Sequence, residues 1–159
     1  MEIALYQPEI PQNTAAIIRT AACFDACVHI IGPAAFDVSD RMVRRAGLDY
    51  LQRALLRRHV DWDAFRSAVT GRVVLFTTKA DKGHTDFAFA PGDCLLFGRE
   101  SSGVPARVHD ESDARVRIPM AQNTRSLNLA VAVGIGLAEG LRSTGAFGRH
   151  DVGDLSQES

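Results

Sequence analysis

Cys94-Leu95-Leu96-Phe97-Gly98-Arg99-Glu100-Ser101-Ser102-Gly103-Val104-Pro105 is the stretch on which the fold turns. Cys94–Phe97 is a short unbroken apolar run, read as a strand buried on both faces, as in a parallel sheet covered by helices. Gly98 ends that strand and permits backbone torsions and close approaches that a side chain forbids. Gly103 and Pro105 then turn the chain into the next helix. A charge beside a core strand is costly without a partner, so Glu100 marks this turn as a binding segment rather than a plain connection.

On both sides of this stretch, short β-branched runs alternate with helical patterns, which predicts an α/β fold with a mainly parallel sheet flanked by helices. Strands are expected at residues 3–6, 28–31, 54–57, 72–78, 94–97 and 115–118, and helices at 13–26, 62–69 and 126–142. Asn13 reads as the cap of the first helix, with Ile17, Ala21 and Phe24 as its apolar stripe. The last helix is apolar almost all round (Leu127, Leu129, Val131, Val133, Ile135, Leu137, Leu141), and Gly134, Gly136 and Gly140 leave room for another backbone. A helix of this kind is buried on more than one side, which a small domain rarely achieves alone, so a subunit interface and a homodimer are expected. Residues 1–144 read as a single domain, and 145–159, with Asp151, Asp154 and Glu158, as a flexible acidic tail.

The 159 residues, 46% hydrophobic and 23% charged, exclude a disordered, collagen-like or coiled-coil chain. A net charge of −1 excludes a polycation that holds nucleic acid by bulk charge. An RNA partner would need a local patch, and Arg41, Arg44 and Arg45 supply either that patch or a merely solvated basic face. All basic residues except Lys79 and Lys82 are arginines, whose planar guanidinium suits bidentate phosphate contacts. No apolar run approaches the roughly 18 residues of a membrane helix, and the first residues lack secretory features, so a cytoplasmic location is expected. Cys23, Cys27 and Cys94 read as buried small hydrophobes in a reducing compartment, without a zinc-site spacing. His29, His59, His84, His109 and His150 are scattered, and no metal is expected.

Open α/β sheets place their ligands at the carboxyl ends of the strands, and two further segments follow such ends. Asn13-Thr14-Ala15-Ala16-Ile17-Ile18-Arg19 opens the first helix, with Asn13 and Arg19 less than two turns apart. A capping Asn and a solvated Arg would account for it alone. Ile118-Pro119-Met120-Ala121-Gln122-Asn123-Thr124-Arg125-Ser126-Leu127-Asn128-Leu129 is dense in amides and hydroxyls. Capping by Thr124 or Ser126 would explain part of it, but not Arg125 and Asn128 together. The glycine fingerprints of nucleotide triphosphatases and dinucleotide enzymes are missing, as is the Gly-x-Ser-x-Gly elbow. The paired carboxylates or metal ligands of a phosphohydrolase are not seen either.

Taken together and in this order, the three segments resemble the motifs of the SPOUT class of methyltransferases, in its SpoU (TrmH-like) branch. Phe97-Gly98-Arg99-Glu100-Ser101-Ser102-Gly103-Val104-Pro105 followed by Arg117-Ile118-Pro119-Met120 and Arg125-Ser126-Leu127-Asn128-Leu129 is the specific part. Leu5–Thr14, Arg44–Tyr50 and Thr77-Thr78-Lys79 are similar to the small TrmL type, the tRNA (cytidine/uridine-34-2′-O)-methyltransferases. One departure is Ala15, where the family usually has Gly.

The resemblance implies a carboxyl-terminal trefoil knot, a homodimer, and S-adenosylmethionine as cofactor. It places the cofactor pocket at Phe76, Gly98, Ile118 and Ser126, with Met120 and Leu127 as further walls. It implies that the methyl passes to a ribose 2′-oxygen of the wobble nucleotide (position 34, C or modified U) in the tRNA anticodon loop. Arg19 would serve the proton or the developing oxyanion, within a polar network of Asn13, Glu100, Ser126 and Asn128. No metal and no membrane enter this scheme. A chain this short has no room for an appended RNA-binding domain, which favours a single-stranded loop with splayed bases. Two readings stay open: the same transfer on another tRNA or rRNA ribose, and a non-catalytic RNA-binding dimer of the same fold.

Overall fold

The computed structural model describes residues 1–37 and 55–147. Along the chain run β1 (Glu2–Tyr6), α1 (Pro11–Cys23), β2 (Cys27–Ile31), β3 (Leu56–His59), α2 (Trp62–Ala68), β4 (Val73–Phe76), β5 (Cys94–Phe97), α3 (Ala106–Glu111), β6 (Ala114–Val116) and α4 (Leu129–Ser143). The strands form one sheet in the order β3-β2-β1-β5-β4-β6, and every neighbouring pair is parallel. The α/β reading with a parallel sheet is thus observed. β5 lies between β1 and β4 with all four residues buried, as an unbroken apolar run requires.

Two cores flank the sheet. On one face α1 and α4 lay Ile17, Ile18, Ala21, Val133, Leu137 and Leu141 against Ile3, Leu5, Val28, Ile30, Leu95 and Phe97. On the other, Trp62 and Phe65 of α2 and Val108 of α3 pack on Ala4, Tyr6, Ile31, Leu75 and Leu96. Odd and even strand positions divide between the two cores, as the period of the pleat demands.

Several element boundaries differ from expectation. α1 begins at Pro11, where a missing N–H costs no helical bond, so Asn13 stands inside the first turn and does not cap the helix. α4 begins at Leu129, with Asn128 rather than Thr124 or Ser126 as its cap. β3 starts at Leu56, two residues beyond the expected position.

Within the single chain α4 is only partly wrapped, with Val131 51% exposed. Gly136 and Gly140 admit side chains of the same chain rather than a second backbone, whereas a Cβ at Gly134 would meet nothing within 4 Å. A Cβ at Gly136 would lie 2.8 Å from Cζ of Phe76 and 3.1 Å from Cζ of Phe97, and one at Gly140 would meet the thioether of Met1. Gly136→Ala is therefore expected to destabilise the protein by about 1–3 kcal/mol through overpacking. The measurement is the denaturant midpoint, which should fall while the slope stays constant.

Cys27 and Cys94 are buried as expected, but Cys23 is exposed. It follows Ala21 by two positions, about 200° around the helix from the buried stripe. His29 and His59, distant in sequence, meet because β2 pairs with β3: their rings stack at 5.1 Å with His29 fully buried. Burial, above all, pushes the His29 imidazole below its ordinary pKa. Residues 145–147 turn back onto the fold, the ring of Phe147 lying 5.6 Å from that of Phe24. The remainder of the expected tail, and the cluster Arg41, Arg44 and Arg45, lie outside the described residues. Among the described residues no helix is long and apolar enough to cross a membrane.

Candidate active site

β1 and β5 are neighbours, yet the chain leaves β1 toward β2 and leaves β5 for β6, on the opposite side. Their following loops diverge, which opens a crevice beyond the carboxyl ends of the strands, the switch point where open α/β sheets bind ligands. A cavity of about 840 Å³ occupies this place, within the usual range for small-molecule sites. All six residues expected at the cofactor pocket line it: Phe76, Gly98, Ile118, Met120, Ser126 and Leu127. Asn13, Glu100 and Asn128 line it as well. Segments separated along the chain are thus brought to one opening.

The turn after β5 folds back over its own first residue. The Arg99 N–H donates to the Gly103 carbonyl at 2.9 Å, and the Gly103 N–H returns a bond to Arg99 at 3.0 Å. Gly103 takes φ +67°, a conformation that favours glycine. A Cβ at Gly98 would lie 2.5 Å from the carbonyl carbon and 2.7 Å from the Cα of Gly103. The chain's own backbone therefore demands glycine at position 98, before any ligand is considered.

Glu100 finds its partners in the loop after β1. Its carboxylate accepts the N–H of Glu9 at 2.9 Å, the N–H of Ile10 at 3.3 Å and the side-chain amide of Asn13 at 3.1 Å. In return, Glu9 accepts from the Ser101 hydroxyl at 2.7 Å and the Ser101 N–H at 2.9 Å. Those bonds hold the Glu9 carboxyl below the usual carboxylate range. The Glu9–Ser101 bonds are therefore in full force at neutral pH and weaken as the pH falls through that lowered pKa.

From Asn13 the network continues to the third segment. Asn13 Oδ1 accepts from Asn128 Nδ2 at 2.9 Å, and Asn128 Oδ1 caps α4 by accepting the N–H groups of Ala130 at 2.9 Å and Val131 at 3.3 Å. Glu100, Asn13 and Asn128 thus tie the loop after β1, the turn after β5 and the start of α4 into one frame. Glu100→Ala strands two backbone donors and one amide, and is expected to cost about 1–3 kcal/mol. The check is a lowered thermal midpoint, partly restored in Glu100→Gln.

Phe76 lines the cavity with its ring committed to a stack, 4.8 Å from Phe97 and 6.3 Å from Phe89. It is a fixed wall rather than a lid. Arg19 is exposed and is not among the lining residues. Six positions along α1 set it about 120° around the helix from Asn13, off the face that Asn13 turns to the cavity. Ala15 is half-buried on α1 and does not line the cavity either.

Thr77, Thr78, Lys79, Arg99, His109 and Arg125 line the cavity without having been singled out as site residues. Thr77–Lys79 follow the carboxyl end of β4, so the strand-end rule that selected residues 98–105 would have found them. His109 sits on α3 and carries no such signal. Nε of Arg99 and Nε2 of His109 are buried and have no hydrogen-bond partner among the described residues, so each can still serve a ligand.

Residues 1–138 match the SpoU rRNA Methylase family. The chain belongs to the SpoU methylase family. This SpoU methylase is 53% identical over 150 residues to the tRNA (cytidine(34)-2′-O)-methyltransferase of Beijerinckia indica, covering 92% of the chain and 94% of that relative. It superposes with a TM-score of 0.84 and 42% identity on a structure solved for the 2-OH methylation of C/U34 on tRNA, covering 89% of this chain and 94% of that one. It also resembles an AdoMet-bound rRNA methyltransferase from Sinorhizobium meliloti, with a TM-score of 0.77 and 30% identity over 89% of this chain and 55% of that chain. The family expectation drawn from the three segments is met.

Proposed function

We propose that this SpoU methylase transfers the methyl group of S-adenosylmethionine to the ribose 2′-oxygen of the wobble nucleotide, position 34 (C or modified U), in the tRNA anticodon loop. One observation carries the reading: the turn after β5, the lead-in to α4 and the start of α1 converge on one cavity, in a chain 53% identical to a methyltransferase named for that nucleotide. The residues present fit the cofactor. Phe76, Gly98, Ile118, Met120, Ser126 and Leu127 offer a half-apolar cradle, and the unpartnered Arg99 and His109 nitrogens offer polar contacts.

When bound, the cofactor supplies a methyl already activated on sulfonium, which leaves placement and proton handling to the protein. Asn13, Glu100, Ser126 and Asn128 form the polar frame around the reacting groups. Arg19 does not line the cavity of its own chain, so we assign it to the cavity of a second copy, in a homodimer. A guanidinium resists deprotonation; its role is to hold the ribose hydroxyl through a neighbouring phosphate or to stabilise the developing oxyanion. Ile10, Leu127 and Val131, which are 42%, 38% and 51% exposed around the cavity and the start of α4, support an apolar contact between copies.

The trefoil knot belongs to the same proposal. Its support is that the segment leaving β6 is hydrogen-bonded to the loop after β4, through Arg117 with Lys82 at 2.9 Å and with His84 at 2.8 Å. The free Cys27 and Cys94 thiols suit the reducing cytoplasm in which we place the protein. Arg41, Arg44 and Arg45 are assigned to the RNA phosphates. Glu at both positions 44 and 45 should weaken tRNA binding and flatten its salt dependence; an unchanged slope removes the cluster from the interface.

The deciding test is transfer from labelled S-adenosylmethionine to tRNA, with nucleoside mapping by mass spectrometry. The expected product is 2′-O-methylation at nucleotide 34. Methylation elsewhere moves the reading to another ribose, and cofactor binding without transfer to any RNA moves it to a non-catalytic binder.

A further inference from the structure

At the amino ends of the strands, opposite the cavity, three metal-binding side chains converge. Register pairs Glu2 of β1 with Cys27 of β2, and Cys27 and His29, two apart on one strand, point to the same face. Nε2 of His29 lies 3.2 Å from the Glu2 carboxylate and 3.6 Å from Sγ of Cys27. The three donor atoms all lie within 4.8 Å of one another. In a tetrahedral zinc site, with bonds of about 2.3 Å to sulfur and 2.0–2.2 Å to nitrogen and oxygen, neighbouring ligand atoms stand about 3.3–3.6 Å apart. The two spacings from His29 Nε2 already have that size.

The surroundings suit ligation as well. Nδ1 of His29 lies 2.8 Å from Nε2 of His59, and such an outer partner fixes which ring nitrogen faces a metal. Cys27 and His29 are buried, whereas the Glu2 side chain is 31% exposed, which leaves a path for the ion from solvent. A thiolate–imidazole–carboxylate set disfavours Mg²⁺ and Ca²⁺ and favours zinc-class cations. The spacing Cys27-x-His29 is too short to attract notice in the sequence, and Glu2 joins only through strand pairing.

We propose that Glu2, Cys27 and His29 form a site for a zinc-class divalent cation that pins β1 to β2. The Cys27 thiol proton passes to solvent as the sulfur–metal bond forms, and no oxidation is involved. Lying at the opposite end of the sheet, the ion takes no part in the reaction and acts on stability alone, by binding the native state.

The test uses the full chain, freed of metal by chelation and titrated with Co²⁺. A one-to-one thiolate-to-cobalt charge-transfer band, displaced by Zn²⁺, is expected, together with a thermal midpoint raised by Zn²⁺. Cys27→Ser should abolish the band, and Glu2→Gln, on the exposed side of the site, should weaken cobalt affinity at least about tenfold. Cys23→Ser, which removes the exposed thiol, should leave the band intact. No band in the native chain overturns the proposal and leaves a Glu2–His29–His59 hydrogen-bond chain. So does a band that survives Cys27→Ser or is lost in Cys23→Ser. If Cys27→Ser does not fold, Glu2→Gln decides, and unchanged affinity refutes the site.

Discussion

Replacing Gly98 by valine is expected to weaken S-adenosylmethionine binding strongly and, with it, methyl transfer. The Cβ alone would stand 2.5 Å from the Gly103 carbonyl carbon, closer than any relaxed contact, and that atom belongs to backbone rather than to a side chain that can swing aside. The turn would have to open, breaking the paired Arg99–Gly103 bonds and moving Glu100 away from Glu9, Ile10 and Asn13. Two walls of the cavity would shift at once. A loss of about a hundredfold in calorimetric affinity, roughly 2.7 kcal/mol, is expected, and Gly98→Ala should move in the same direction. Gly92→Ala is the matched control, because a Cβ there meets nothing within 4 Å. Near-native affinity in Gly98→Val would mean that the cofactor does not use this crevice.

Arg19→Ala is expected to lower turnover by about 10²–10³-fold, the size of effect seen when one donor to a developing oxyanion is removed, with cofactor affinity unchanged. The separation of the two effects follows from position: Arg19 is exposed and lies off the cavity wall of its own chain. The same geometry yields a stricter test. In a two-fold dimer each contact is made twice and reciprocally. Mixing Arg19→Ala subunits with Gly98→Val subunits would then assemble one site with both Gly98 and Arg19 intact. Activity recovered on mixing supports action across the interface. Mixed dimers that stay inactive place Arg19 with its own chain, and full turnover in Arg19→Ala removes it from the mechanism.

The site was legible where a local rule pointed to it. The apolar run Cys94–Phe97 and the charged, glycine-bearing turn after it lie next to each other in sequence, and strand-end placement follows from parallel topology alone. Asn13 shows the limit of local rules. At the start of a helix an asparagine reads as a cap, whereas here Pro11 has already begun the helix and Asn13 bonds Glu100 and Asn128, 87 and 115 positions away. Gly136 is similar: its lack of a side chain looked like room for a second subunit, but Phe76 and Phe97 of the same chain fill that room.

By itself the sequence determined the alternation of strands and helices, the parallel and buried character of the sheet, and the segments that face the ligand end. These follow from periodicity, chain breakers and charge placement, which are properties of near neighbours. Only the tertiary structure decided that β1 and β5 lie side by side, that the Glu100 carboxylate is hydrogen-bonded by the loop after β1, that Arg19 does not line its own chain's cavity, and that Glu2, Cys27 and His29 meet at the amino end of the sheet. Strand order and side-chain partners are set by which distant segments bury their apolar faces together, and no repeat along the chain encodes that choice.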